Sequence, residues 1–98
     1  MMNEIILTDT AQAQLNCLEI DPSLKRIEKA VKKAIALMQQ NLRHPSLHTH
    51  EFTSLKGPNG EKIFEAYAQH KTPGAYRIFW YYGHKKGQIS IASITEHP

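Results

Sequence analysis

Arg77 stands in the run Ala75-Tyr76-Arg77-Ile78-Phe79-Trp80, a lone cation inside an otherwise apolar stretch. Such a cation must either pair with an acid or face a polar groove, because an unpaired buried charge is strongly disfavoured. Glu65, in Ile63-Phe64-Glu65-Ala66, is the acid that reaches it if the two stretches form adjacent strands. Both roles are open for Arg77: a structural cross-strand pair, or a charge presented to a substrate. His48 and His50 stand two apart, which places both on one face of a strand. No third ligand stands at a zinc-site spacing, and the single cysteine, Cys17, has no C-x-x-C partner, so no metal or cofactor is expected. His97 carries an imidazole, which changes charge near neutral pH. Taken alone, a histidine in that position reads as part of a solvated tail. His44, His70 and His84 fall in loop-like contexts and read as solvated, and Cys17 as a small hydrophobe on a helix.

The elements that must position these groups follow from periodicity. Asn3 to Thr8 is a short apolar strand, after which Thr8 or Thr10 caps a helix over about 10–19, with Ala11, Leu15 and Leu18 on one face. Asp21-Pro22 starts a second helix, Asp as cap and Pro at the first position, where no donor is needed. Leu24, Ile27, Val31, Ala34, Ile35, Met38 and Leu42 keep the helical period, while Lys25, Lys29, Lys32 and Lys33 take the other side. Asn41 and His44-Pro45 end it near residue 42. The pattern then changes to strands near 48–55, 61–69, 75–82 and 88–95, separated by Gly57-Pro58-Asn59-Gly60, Thr72-Pro73-Gly74 and the 83–87 loop. The order β-α-α-β-β-β-β predicts an α+β domain, with two N-terminal helices packed on a four- to five-stranded antiparallel sheet. With Phe64, Ile78, Trp80 and Ile91 turned to the helices, alternation puts Glu65, Arg77, Tyr67, Phe79 and Tyr81 on the opposite face.

The totals set bounds. Ninety-eight residues with 41% hydrophobic side chains predict one domain over 1–98 with one modest core. No apolar run is long enough for a membrane helix, and no basic, apolar leader opens the chain, so a cytoplasmic protein is expected. The net charge of +3 is unevenly spread: residues 1–21 contain four acids and no Lys or Arg, whereas residues 22–71 contain nine basic residues against four acids. That asymmetry fits a surface attracting phosphate or an acidic partner, and equally a lysine-rich helix face that is merely solvated. No aromatic or glycine-loop motif of a common RNA-binding module is present.

Four segments in order carry a resemblance. Arg43-His44-Pro45-Ser46-Leu47 leading through His50 to Leu55-Lys56-Gly57, then Ile63-Phe64-Glu65-Ala66, then Tyr76-Arg77-Ile78-Phe79-Trp80, and last Ile94-Thr95-Glu96-His97 together resemble the RelE/ParE toxin superfamily over about residues 22–98. The resemblance implies a RelE-like fold and a toxin restrained by a cognate antitoxin. For the RelE-like branch it implies an mRNA endoribonuclease acting on the ribosome, in which a 2′-hydroxyl attacks without a metal and leaves a 2′,3′-cyclic phosphate. The histidine content is similar to that of the YafQ-like members. ParE-like relatives share the fold and inhibit gyrase without nuclease chemistry, and a catalytically inactive RNA-binding homologue is a further alternative.

What the resemblance implies for single residues is specific. His97 is the acid for the leaving oxygen and Arg77 the cation for the phosphorane charge, while Glu65 orients Arg77 or acts as a base and His50 is a base or a phosphate contact. Arg43, Lys56 and Lys62 are expected on phosphates, and Tyr67 and Tyr81 against a splayed base. Strict alternation from Ile89 and Ile91 turns His97 to the core side, so a bulge or bend is expected after Ile94.

Overall fold

A computed structural model describes residues 2–83 and 85–97; His84 lies outside the described residues. The apolar run after Asn3 forms β1 (Glu4–Leu7). Thr8 then turns the chain into α1 (Asp9–Ile20), its hydroxyl accepting the Ala11 N–H at 3.2 Å. Ala11, Leu15 and Leu18 form the buried stripe of α1, and Cys17 falls off that stripe, exposed rather than packed. Asp21 accepts from both the backbone and the hydroxyl of Ser23, so the predicted start of the second helix is a 3-10 turn (Pro22–Leu24). Helix α2 runs over Lys25–Gln40, capped by Asn41. Its four lysines are exposed, and Val31, Ala34 and Met38 are buried.

A second 3-10 turn, Pro45–Leu47, leads into β2 (His50–Lys56), β3 (Lys62–Tyr67), β4 (Tyr76–Tyr82) and β5 (Gln88–Glu96). The sheet order is β1-β5-β4-β3-β2. Hairpin partners are antiparallel, as expected, but β1 lies parallel to β5, so the sheet is mixed rather than purely antiparallel. Turn residues specify the hairpins locally, whereas β1 is separated from its partner by two helices and no local signal sets its direction. Both helices cover one face, where Val31, Met38, Leu47, Ile78, Trp80, Ile91 and Ile94 close the core.

Ile91 and Ile94 both belong to that core although three positions separate them. The pairing explains it: Phe79 opposes Ser93 while Trp80 opposes Ile91, so Ala92 is an extra residue in β5. The irregularity therefore precedes Ile94 instead of following it. Neighbouring groups tie the bulge down. The Thr8 hydroxyl lies 2.9 Å from the Ile91 carbonyl and 3.0 Å from that of Ala92, and the Gln14 side chain accepts the Ile94 N–H at 2.6 Å. Past the bulge, Ser93 and Thr95 share the face of Phe79 and Arg77, and continued alternation brings His97 to it.

Candidate functional site

Glu65 alternates with Phe64 and Ala66 on β3 and so points away from the helices. Its register partner on β2 is His50, and the register partner of Arg77 on β4 is Tyr67, which leaves Arg77 diagonal to Glu65. His97 follows β5 directly, held there by its N–H donating to the Ala75 carbonyl at 2.9 Å. Four of the residues singled out in the sequence thus converge, with Tyr67, on one point of the sheet.

Glu65 is fully buried and is the hub. His97 Nδ1 lies 2.7 Å from one carboxylate oxygen, and Arg77 Nε lies 3.5 Å from that same oxygen. His50 Nε2 lies 2.8 Å from the other oxygen, a close ion-pair contact but not an aligned hydrogen bond. The two imidazoles differ in what is left over. His50 Nδ1 lies 2.8 Å from the His48 carbonyl, which can only accept, so both ring nitrogens of His50 are engaged. No described group bonds His97 Nε2, and the His97 side chain is 47% exposed. The carboxylate on Nδ1 fixes the ring's orientation and leaves Nε2 facing the groove.

Arg77 is not open to solvent. Its Nη1 donates to the Gln69 carbonyl, and Tyr67 covers the guanidinium, with 3.6 Å from Cζ to the ring centroid. Direct contact between Arg77 and a phosphate, expected from sequence, therefore requires Tyr67 to turn aside. Tyr67 is itself flanked by His48 and His70, with ring centroids at 5.0 and 5.5 Å. Neither histidine was expected here. The sequence places His48 on a strand with His50, but it sits before β2 in the left-handed conformation (φ 46°), as the cap residue that follows the 3-10 turn, and His70 reads as a solvated loop residue. No sequence signal marks either placement.

The remaining predicted contacts lie elsewhere. Tyr81 faces away from the helices, but Ile63 and Phe79 pack with it under Phe52 and Ala92, leaving its ring 7% exposed and covered against base stacking. Lys62 alternates with Ile63 and pairs with Lys56 at the end of the β2–β3 hairpin, so both lysines turn to the helix side. A register shift in β2 between Glu51 and Lys56 defeats simple alternation there. Arg43 borders a groove on the helix side as well.

No protein-family model and no curated protein matches the chain in sequence. Solved structures match its shape. A YoeB/ParE toxin from Agrobacterium tumefaciens superposes with a TM-score of 0.69 at 8% identity, over 97% of this chain and 99% of that one. A YoeB dimer from Staphylococcus aureus gives 0.65 at 15% identity over the whole of both chains. The archaeal RelE–RelB complex from Pyrococcus horikoshii OT3 gives 0.60 at 13% identity, over 98% of this chain and 96% of that one. The chain has the fold of the RelE/ParE toxin superfamily.

Proposed function

We propose that the chain is the toxin of a toxin–antitoxin pair and acts as a metal-independent mRNA endoribonuclease. The observation that carries this reading is the His97–Glu65 contact, an imidazole with one nitrogen on a buried carboxylate and the other facing solvent. Cleavage by a 2′-hydroxyl requires a proton for the departing 5′-oxygen, and an imidazolium with a free Nε2–H supplies it. With both oxygens occupied and no exposure, Glu65 is the orienting group rather than the base. His50 takes the 2′-hydroxyl proton on Nε2 in its neutral form, with the ring proton on Nδ1 and Nε2 turned from Glu65 after giving up any proton to solvent, a rotation its half-exposed ring permits. Arg77 holds the carboxylate in place and adds positive charge beneath the site.

The fold neighbours support the toxin class, and the RelE–RelB complex supports an antitoxin as partner. The ribosome as the place of cleavage and the cytoplasm as the compartment are carried over from the resemblance to the RelE-like branch. A gyrase inhibitor has no use for the free imidazole nitrogen, so the cluster favours the nuclease over the ParE-like alternative. Expression of the chain in a bacterial host tests the reading. Growth arrest with truncated mRNA, relieved by His97→Ala, supports it; arrest that His97→Ala leaves intact, with whole mRNA and blocked gyrase, refutes it.

A further inference from the structure

On the helix side of the sheet, between the end of α2 and strands β3 and β4, a groove of about 630 Å³ is used by none of the chemistry above. Its wall is aromatic. Phe64 and Trp80 stack with centroids 4.8 Å apart, and Tyr82 stands edge-on to both at 5.7 and 5.1 Å. Tyr82 is 58% exposed and lines the groove. Trp80 is 1% exposed, yet its indole Nε1 has no hydrogen-bond acceptor among the described residues. Trp80 therefore contributes the buried side of the wall, and Tyr82 its exposed side.

The polar rim selects the partner's charge. Arg43, whose side chain has no described partner, and His44 border the groove, and no Asp or Glu is among the described lining residues. Flat aromatic surface and a cationic rim together match a heteroaromatic ring joined to a phosphate. His48 lines the same groove, and its ring lies 5.0 Å from Tyr67, the residue covering Arg77. The groove therefore opens toward the Glu65 cluster around the start of β2.

We propose that this groove binds one nucleotide of single-stranded RNA, base against Tyr82 and phosphate at Arg43, flanking the nucleotides at the Glu65 cluster. The inference rests on the reading of the chain as acting on RNA. It concerns a different face, so the two fail separately.

Trp80 is the sole tryptophan, so its emission reports the groove directly. The whole protein is titrated with adenosine 5′-monophosphate, and with a short 2′-O-methyl RNA that its own hydroxyls cannot cleave. Both should shift or quench Trp80 emission. Tyr82→Ala and Arg43→Ala, which alter exposed side chains and keep Trp80, should each weaken that response about tenfold. A 2′-O-methyl RNA that binds by anisotropy while Trp80 stays silent overturns the groove assignment, and a response to an acidic peptide but to neither nucleotide reassigns the groove to a protein. Cleavage of mRNA with Trp80 silent leaves the nuclease standing without this subsite. A Trp80 response to nucleotide, reduced in both variants, in a protein that cuts no RNA keeps the subsite and removes the nuclease.

Discussion

Removing the Glu65 carboxylate should destabilise the fold far more than removing Glu65 and Arg77 together. In Glu65→Leu the Arg77 cation, its side chain 7% exposed, loses the acid 3.5 Å from its Nε. Breaking a buried pair from one side costs about 3–5 kcal/mol. Here the Gln69 carbonyl and the Tyr67 ring still hold the guanidinium, which argues for about 3 kcal/mol. A domain of this size has about 5–15 kcal/mol in all, so the variant folds with a visible loss. Glu65→Leu combined with Arg77→Leu removes both members of the buried pair and should return to within about 1 kcal/mol of wild type, regaining about 2 kcal/mol over the single variant. Urea unfolding followed by Trp80 emission measures this. At a slope of about 1.5 kcal/mol/M, the single variant should unfold about 2 M earlier. A single variant within about 0.5 M of wild type, or a double variant no more stable than the single, would refute the reasoning.

Other consequences can be checked in parallel. Thr8→Val removes both the α1 cap and the hydroxyl at the Ala92 bulge, about 2 kcal/mol together, seen as a Tm about 10 °C lower, whereas Thr8→Ser should stay near wild type. Tyr67→Ala uncovers Arg77 and should lower RNA cleavage while Tyr67→Phe retains it, since the cation–π contact needs only the ring; equal loss in both would assign the hydroxyl instead. The hydrogen bond from Lys32 holds the Glu28 carboxyl below its usual range, so its stabilisation is present at neutral pH and is lost as pH falls through that lowered value. Glu19, more than Glu28, raises the Lys32 ammonium, whose contribution is lost only as pH rises past the ordinary lysine range. Glu28→Gln should therefore flatten the acid limb of a stability–pH curve, and an unchanged limb would contradict the assignment.

Much of this was legible in the residues. The helix faces follow from Ala11, Leu15 and Leu18 and from Val31, Ala34 and Met38, and alternation alone placed Glu65 and Arg77 on one face with Trp80 on the other. What escaped lies where alternation is interrupted or where contacts are remote. Alternation from Ile89 and Ile91 points to a bend after Ile94, whereas the spacing Ile89, Ile91, Ile94, two and then three, marks the bulge at Ala92. Three apolar residues on the supposedly open face, Ile63, Phe79 and Tyr81, likewise announce a second small cluster, which is why Tyr81 is covered. The left-handed turn at His48 and the parallel pairing of β1 depend on distant segments, and no local pattern carries them.

The central claim is that His97, oriented by Glu65, protonates the leaving oxygen in RNA cleavage. Its most direct test is the rate of mRNA cleavage on programmed ribosomes, comparing wild type with His97→Ala and mapping the chemistry of the new ends. Cuts ending in a 2′,3′-cyclic phosphate, the mark of 2′-hydroxyl attack, are expected, slowed about a hundredfold or more in His97→Ala while the fold is retained. Cleavage by His97→Ala at the wild-type rate would contradict it.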